Sequence, residues 1–392
     1  MRTRLWTSLV FVFWGIAAHA IDPPPVLSAK SAIVMDEVSG KVLFELKADA
    51  RRFPASTTKI LTSLLLIERC RPNEILTAPK DVETVTGSSL HLKPFERMTA
   101  SDLLLGLMVR SANDGAYTVA KHIGGSVEGF SKLMNERAKQ IGCTRTQFHN
   151  PHGLNDPLHT TTARDLALMA REALKYPEFQ KAAKTRKVQI ARSLNQEDTW
   201  LISKNKTLLH DPTADGIKTG YTNPAGQCFV GSSTRDGYRI ITVVLASEDW
   251  LADTNALKDW AFANHMQTRI ADPAEAGLSV PVRGGEREKV RASVSAPILY
   301  AHPKDAIPNL KTEIKPVAGL EAPVAAGTKI ATVTFSDGTG WRADADLMAA
   351  ENLEKARPFA SMGGLSFAVV ACLLGGGAYL MRRRAMAMVG SW

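Results

Sequence analysis

The chain has 392 residues, of which 45% are hydrophobic and 22% are charged, and its formal net charge is +9. A basic balance favours an anionic neighbour, such as a membrane surface or an acidic wall polymer, although a solvated basic surface without a partner fits equally well. No block of basic residues interleaved with aromatic residues occurs, so we expect no nucleic acid partner.

The first 20 residues have the pattern of a signal peptide. A positive start at residues 1–4 precedes an apolar run at 5–17 and a small-x-small cleavage site at 18–20. The apolar run is too short to span a bilayer comfortably, although an uncleaved anchor stays an open alternative. We therefore expect cleavage after Ala20 and export of the rest of the chain.

Residues 21–271 are predicted to form an exported catalytic domain. Strands are predicted over residues 31–36 and 41–46, with a turn at 39–40. After a long interval, two more are predicted over 228–233 and 239–245, with a turn at 235–237. Apolar spacing predicts helices over residues 56–69, 103–109, 126–141, 162–174 and 253–265. Ser101-Asp102 is the predicted cap of the second helix and Thr162 that of the fourth. Strands at both ends with helices between them predict an α+β domain, in which one antiparallel sheet packs against a helical cluster.

Three short motifs occur in this domain: Ser56-Thr57-Thr58-Lys59, Ser111-Ala112-Asn113 and Lys218-Thr219-Gly220. Each motif alone is weak evidence, because chance supplies so short a pattern often. Together and in this order, they indicate a serine acyl-transferase.

Ser56 is the predicted nucleophile and Lys59 its predicted base. Residues three apart share a helix face, so the Lys59 amine can reach the serine oxygen. Burial and a neighbouring cation, for which Lys218 is the candidate, would let the amine become neutral. The predicted oxyanion hole combines the backbone N–H groups of Ser56 and Tyr221.

The other motif residues are predicted to handle the substrate. Ser111, the third predicted catalytic residue, can relay a proton to the leaving amine, and Asn113 can hydrogen-bond both the substrate backbone and the lysine. Lys218 supplies a positive charge for a terminal carboxylate, and Thr219 belongs to the same substrate-binding set. Gly220 would let a substrate strand approach the sheet edge without a side-chain clash.

From residue 272 the composition changes to short strands and turns punctuated by prolines. The alternation of Val290, Ala292 and Val294 with polar residues, and a β run over 329–335, predict a small all-β domain at 272–350. On composition alone we expect it to serve as an interaction platform. Residues 351–357 are the predicted linker that follows.

The C-terminal end has the pattern of a membrane anchor. Residues 358–381 carry no charge, and three arginines follow at once. Because basic residues stay on the cytoplasmic side, we predict a transmembrane helix at 358–381 and a cytoplasmic tail at 382–392. The catalytic domain would then face the periplasm or cell exterior. A helix lying on the membrane surface is the alternative.

The cysteines and histidines give no further prediction of a site. Cys70, Cys143 and Cys228 show no C-x-x-C spacing, so we interpret them as small core residues. His149, His152 and His159 cluster, but without an H-E-x-x-H pattern. We therefore expect neither a metal nor a cofactor.

The three motifs and their flanks resemble the low-molecular-mass penicillin-binding proteins of the serine-type D-Ala-D-Ala carboxypeptidase group. The similar stretches are residues 54–59, 111–114, 151–154, 162–165 and 216–222. The resemblance implies a β-lactamase/transpeptidase-like fold and removal of the terminal D-Ala from peptidoglycan stem peptides through an acyl-serine. It also implies β-lactams as inhibitors. Ala112 stands where the usual motif has glycine, and Tyr221 where some relatives have histidine.

Other activities stay open on the sequence. A class A-like β-lactamase is disfavoured, because it needs a glutamate between the second and third motifs and none occurs over residues 137–171. A DD-endopeptidase and a transpeptidase would use the same acyl-enzyme. A non-catalytic wall-binding scaffold is disfavoured by the joint retention of the motif residues.

Overall fold

The computed structural model describes residues 22–357. The predicted signal peptide (1–20), anchor (358–381) and tail (382–392) lie outside the described residues. None of the helices within 22–357 combines the length and apolar character that a membrane crossing requires. The described chain divides into two compact units, the first of which contains 22–270, 299–310 and 337–341.

The first unit is organised by a five-stranded antiparallel sheet with strand order β2-β1-β9-β8-β7. The strands are β1 (Ser31–Asp36), β2 (Val42–Leu46), β7 (Ala214–Thr222), β8 (Gly226–Arg235) and β9 (Tyr238–Ser247). The predicted turns close its hairpins: Gly40 and Gly237 both have a positive φ, which glycine adopts without a Cβ clash. Strand β7 lies at the sheet edge, so one side of its backbone has no partner strand in this sheet.

Helices cover both faces of this sheet. They are α1 (Lys59–Arg69), α2 (Ala100–Leu105), α3 (Asn113–Gly124), α4 (Val127–Ile141), α5 (Ala163–Ala173), α6 (Pro177–Lys184), α7 (Thr207–His210) and α8 (Trp250–Asn264). On β9, Ile240 and Val244 belong to the core that includes α8, whereas Ile241 and Val243 belong to the core that includes α1 to α6. The prediction of an α+β domain with one antiparallel sheet is confirmed, and the apolar strand β9 is buried on both of its faces.

Helix starts follow local capping chemistry. The Thr162 side chain accepts a backbone N–H bond from the first turn of α5, as the sequence predicts, and Ser126 caps α4 in the same way. The prediction that residues 101–102 cap the next helix is wrong, because Thr99 caps α2 by accepting from Asp102 N. Helix α2 then passes into a π-helical turn, Gly106–Arg110.

Paired short strands complete the first unit. These are β3 (Ile75–Thr77) with β4 (Arg97–Thr99), β5 (Lys187–Gln189) with β6 (Trp200–Ile202), and β10 (His265–Ala271) with β13 (Ile298–Pro303). The first two pairs lie between the motifs, the third pair follows the last motif, and none of the three extends the central sheet.

The second unit, described over 271–298, 311–336 and 342–357, is built on a second five-stranded sheet with order β11-β12-β16-β15-β14. Its strands are β11 (Leu278–Pro281), β12 (Lys289–Val294), β14 (Lys311–Pro316), β15 (Lys329–Ser336) and β16 (Arg342–Ala349). Val290, Ala292 and Val294 are buried on one face of β12, as their alternation predicts. The sheet-rich character predicted for this region is confirmed.

A buried ion pair holds the loop between β5 and β6. The Arg192 guanidinium donates to both carboxylate oxygens of Glu96, at 2.7 and 3.0 Å, and neither side chain is exposed. We expect Arg192→Leu to lower the free energy of unfolding by about 3–5 kcal/mol, because it leaves a buried carboxylate unpaired. Urea unfolding measures the change. In the exposed pair of Lys93 and Glu83, Glu83→Ala should change stability little. Equal losses of stability in Arg192→Leu and Glu83→Ala would contradict this prediction.

Candidate active site

Ser56 lies on a tight turn that leads into α1. Residues Ala55–Thr58 form a 3-10 turn, and α1 begins at Lys59. The Thr57 and Thr58 hydroxyls donate to the carbonyl oxygens of Pro54 and Ala55, which fixes this turn from within. The sequence predicts that Ser56 begins this helix. The structure instead places Ser56 in the tight turn just before it.

The Lys59 amine lies 3.0 Å from the Ser56 hydroxyl oxygen. The Lys59 side chain is fully buried, and its Nζ also donates to Asn113 Oδ1 at 2.7 Å and to the His152 carbonyl oxygen at 2.8 Å. Three acceptors match the three protons of an ammonium. A neutral amine would keep the bonds to Asn113 and His152 and turn its lone pair towards the serine hydroxyl.

The surroundings favour that neutral form. Burial, and then the positive charge of Lys218, lower the pKa of the Lys59 amine well below its usual value of 10.5, while the Asp114 carboxylate acts in the opposite direction. Removing a charge from water and placing it near a like charge both destabilise the ammonium. The geometry can therefore serve proton transfer from Ser56.

Asn113 is fixed on both sides of its amide. It is the first residue of α3, its Oδ1 faces Lys59, and its Nδ2 donates to the Thr86 carbonyl oxygen at 2.7 Å. The next residue, Asp114, accepts hydrogen bonds from the loop between β3 and β4, through Ser89 Oγ and the backbone N–H groups of Leu90 and Leu92. One Asn113 N–H remains for a substrate, because a side-chain amide has two donors.

Ser111 connects the π-helical turn to α3 in a left-handed conformation, with φ 65° and ψ 36°. A non-glycine residue in this region is uncommon and clusters at functional sites. Its side chain is nearly buried, at 8% exposed. The acceptors that Lys59 contacts do not include Ser111, so the predicted proton relay is not a direct lysine–serine contact in this geometry.

The third motif lies on the edge strand β7. Lys218 is 2% exposed, and its Nζ donates to the carbonyl oxygen of Thr219 at 3.0 Å. Burial, assisted by the positive charge of Lys204, lowers the pKa of Lys218 to about 7. A cation whose pKa is near neutrality can bind a carboxylate and can also lose its charge within a physiological pH range.

Gly220 is where β7 meets the Ser56 turn. A Cβ at this position would lie 2.9 Å from Ser56 N and 3.1 Å from Pro54 O. From the sequence, we expect the absent side chain at Gly220 to make room for a substrate strand. In the structure, the backbone of the Ser56 turn occupies the space beside Gly220. The adjacent residue, Tyr221, has an exposed side chain, and its backbone pairs in register with Gln227 of β8.

A second glycine holds the other side of the Ser56 turn. Gly153 has a φ of +86°, and a Cβ there would lie 1.8 Å from the Ala55 carbonyl oxygen. The preceding residue, His152, supplies the carbonyl oxygen that Lys59 contacts. The sequence alone gives no sign of the steric requirement at Gly153.

His159 is a buried residue of the site that the motifs do not reveal. The His149 backbone N–H donates to His159 Nδ1 at 3.0 Å, so Nε2 carries the proton and contacts Thr58 Oγ1 at 2.9 Å. Burial is the main cause that lowers the pKa of both His152 and His159 to about 3, which leaves both neutral near pH 7. His159 holds the turn through Thr58, whereas the His152 ring accepts the Leu154 backbone N–H within its own loop.

Known protein families are similar to this chain along most of its length. A family model described as D-alanyl-D-alanine carboxypeptidase matches residues 18–249, and one described as penicillin-binding protein 5, C-terminal domain, matches residues 270–355. D-alanyl-D-alanine carboxypeptidase DacF of Bacillus subtilis is 31% identical, over 84% of this chain and 86% of that protein. DacC of Escherichia coli is 30% identical over the same shares.

Solved structures of other proteins are similar in fold to this chain. Penicillin binding protein 5 from Haemophilus influenzae superimposes with a TM-score of 0.71 at 26% identity, covering 85% of this chain and 99% of that one. The Streptomyces K15 DD-transpeptidase superimposes with a TM-score of 0.58 at 28% identity, covering 62% of this chain and 99% of that one.

Proposed function

The chain belongs to the D-alanyl-D-alanine carboxypeptidase family of serine peptidases, and from that premise we propose that it removes the terminal D-alanine from peptidoglycan stem peptides. The observation that carries the proposal is the buried Lys59 amine, 3.0 Å from Ser56 Oγ and beside a second buried lysine. A surface lysine would stay protonated and could not act as a base.

We propose the following acylation step. Ser56 Oγ attacks the carbonyl carbon of the penultimate D-alanine while its proton passes to the neutral Lys59 amine. The N–H groups of Ser56 and Tyr221 stabilise the oxyanion. The C–N bond breaks, the leaving amine receives a proton by way of Lys59 and Ser111, and an ester remains on Ser56. Water then hydrolyses the ester and restores the serine.

The substrate lies along β7 in this proposal. An extended peptide can add to a free sheet edge through backbone hydrogen bonds. The buried Lys218 ammonium would pair with the terminal carboxylate, with Thr219 beside it, while Asn113 donates its free N–H to the peptide. This arrangement explains why the proposed substrate must end in a free carboxylate.

The lowered pKa of Lys218 predicts a pH dependence. As pH rises through about 7, Lys218 loses its charge and a carboxylate-bearing substrate loses its partner. Its KM should rise by up to about tenfold per pH unit above the pKa. The same peptide with an amidated C-terminus should show no such rise. Steady-state kinetics of both peptides from pH 6 to 9 measure this, and parallel profiles would contradict it.

The activity itself is tested by D-alanine release from a pentapeptide that ends in D-Ala-D-Ala, with a peptide that ends in D-Ala-L-Ala as the control. Release from the first alone supports the proposal. Transfer of the acyl group to an added amine in preference to water would favour a transpeptidase. Cleavage confined to cross-linked dimers would favour an endopeptidase.

Two finer points of the proposal rest on sequence alone. We propose that residues 1–20 direct export and that 358–381 anchor the protein in the cytoplasmic membrane. Alkaline extraction of membranes should leave the full chain in the membrane fraction and release a chain truncated after residue 357. Release of both would contradict the anchor.

A further inference from the structure

A cysteine, a glutamate and a histidine meet at a place remote from Ser56. Cys70 Sγ, a Glu74 carboxylate oxygen and a His122 ring nitrogen all lie within 4.8 Å of one another. His122 Nε2 and Glu74 Oε1 are 3.0 Å apart. Two ligands of one tetrahedral zinc ion lie roughly 3.4 Å apart, given metal–ligand bonds of about 2.0–2.1 Å. Small side-chain rotations would therefore complete three metal bonds.

We propose that Cys70, Glu74 and His122 form a zinc site, with water as the fourth ligand. A thiolate, an imidazole and a carboxylate are the ligand types that zinc takes in proteins, whereas magnesium and calcium prefer oxygen alone. This corrects the expectation of no metal, which depended on the absence of C-x-x-C spacing and of an H-E-x-x-H pattern around His149, His152 and His159. The sequence does not reveal the set of Cys70, Glu74 and His122, because 48 positions separate Glu74 from His122.

The surroundings fit a site that is open to solvent on one side. The Glu74 and His122 side chains are 36% and 35% exposed, so an ion can reach them from water. Cys70 is only 9% exposed and supplies the buried side. The Arg71 backbone N–H donates to the second Glu74 oxygen at 3.1 Å, which orients the carboxylate as outer contacts orient metal ligands.

The position in the fold assigns the ion a structural role. Cys70 ends α1 and His122 lies in the last turn of α3. The same two helices carry Lys59 and Asn113 at their starts, and these side chains are in contact. The 11 residues of α1 separate Cys70 from Lys59 by about 16 Å, too far for the ion to touch the reaction. The ion would join the far ends of two helices whose near ends form the active site.

The test is zinc titration of the untagged, metal-stripped full chain in competition with a chromophoric chelator. We expect one zinc ion per chain and a higher Tm at saturation. His122→Ala removes a proposed direct ligand at a partly exposed side chain. It should weaken zinc binding by roughly 100-fold, because loss of an outer contact alone already costs about 10–100-fold. His210→Ala, at another exposed histidine, should change nothing.

Cobalt gives a second readout that does not depend on stability. Co²⁺ bound to the wild-type chain should show a thiolate-to-metal absorption, which Cys70→Ser removes and Cys143→Ser retains. Zinc binding that is indifferent to His122→Ala, or a cobalt spectrum without a thiolate band, would overturn the proposal. Neither readout depends on D-alanine release, so the site and the proposed activity can fail separately.

Discussion

Replacing Ser56 with alanine should abolish the covalent adduct that benzylpenicillin forms with this protein. Within residues 22–357, Lys59 Nζ donates to three acceptors, and the Ser56 hydroxyl is the one that can attack a carbonyl carbon. The other two are an amide oxygen and a backbone carbonyl oxygen. In a serine hydrolase, loss of the nucleophile lowers kcat by about 10⁶-fold. D-alanine release should fall below detection.

Intact-protein mass spectrometry after incubation with benzylpenicillin measures the adduct directly. We expect a lasting adduct on the wild type, since residues 137–171 contain no glutamate to activate a deacylating water. Ser63→Ala is the matched control, because Ser63 is a buried serine on α1, the helix that follows Ser56, and its hydroxyl contacts Met108 Sδ. An adduct on Ser56→Ala would show that another residue is the nucleophile, and rapid penicillin loss without an adduct would indicate a β-lactamase.

Replacement of Lys59 should have the second largest effect. Lys59→Met keeps much of the buried volume and removes the amine, so we expect acylation to slow by about 10²–10⁴-fold, the usual contribution of a general base. Lys59→Arg should fail as well, because a guanidinium keeps its charge and cannot accept the serine proton. The two variants together separate the need for a base from the need for a positive charge.

Stopped-flow acylation by benzylpenicillin gives the rate constant for each variant, and thermal unfolding checks that each is folded. Lys184→Met offers a control at a lysine whose amine pairs with Asp215 and is largely exposed. Acylation by Lys59→Arg at more than a tenth of the wild-type rate would refute a proton-accepting role and leave Lys59 a purely electrostatic one.

Much of the fold could be predicted because it depends on local chemistry. The Gly40 turn, the cap at Thr162 and the apolar run of β9 each occupy a few adjacent residues. The contact of Lys59 with Ser56 follows from their spacing of three residues. Patterns at this range can be interpreted before any tertiary contact is known.

The remaining features depend on contacts between distant segments. Helix α3 was not predicted, and Asp114 in its first turn accepts bonds from residues more than 20 positions away. The contact of His159 with Thr58 and the approach of Gly220 to Ser56 join segments more than 100 positions apart. A single sequence gives the residue types in such contacts but not their partners.

The close approach of Gly220 to Ser56 also limits how drug resistance could arise in this protein. At most positions that line an inhibitor site, a larger side chain can exclude the drug and leave the nucleophile in place. At Gly220, the atom nearest to a new Cβ would be the backbone nitrogen of Ser56, 2.9 Å away. A resistance mutation there would displace the serine along with the drug. We therefore expect resistant variants to change exposed neighbours such as Tyr221 and to retain glycine at 220.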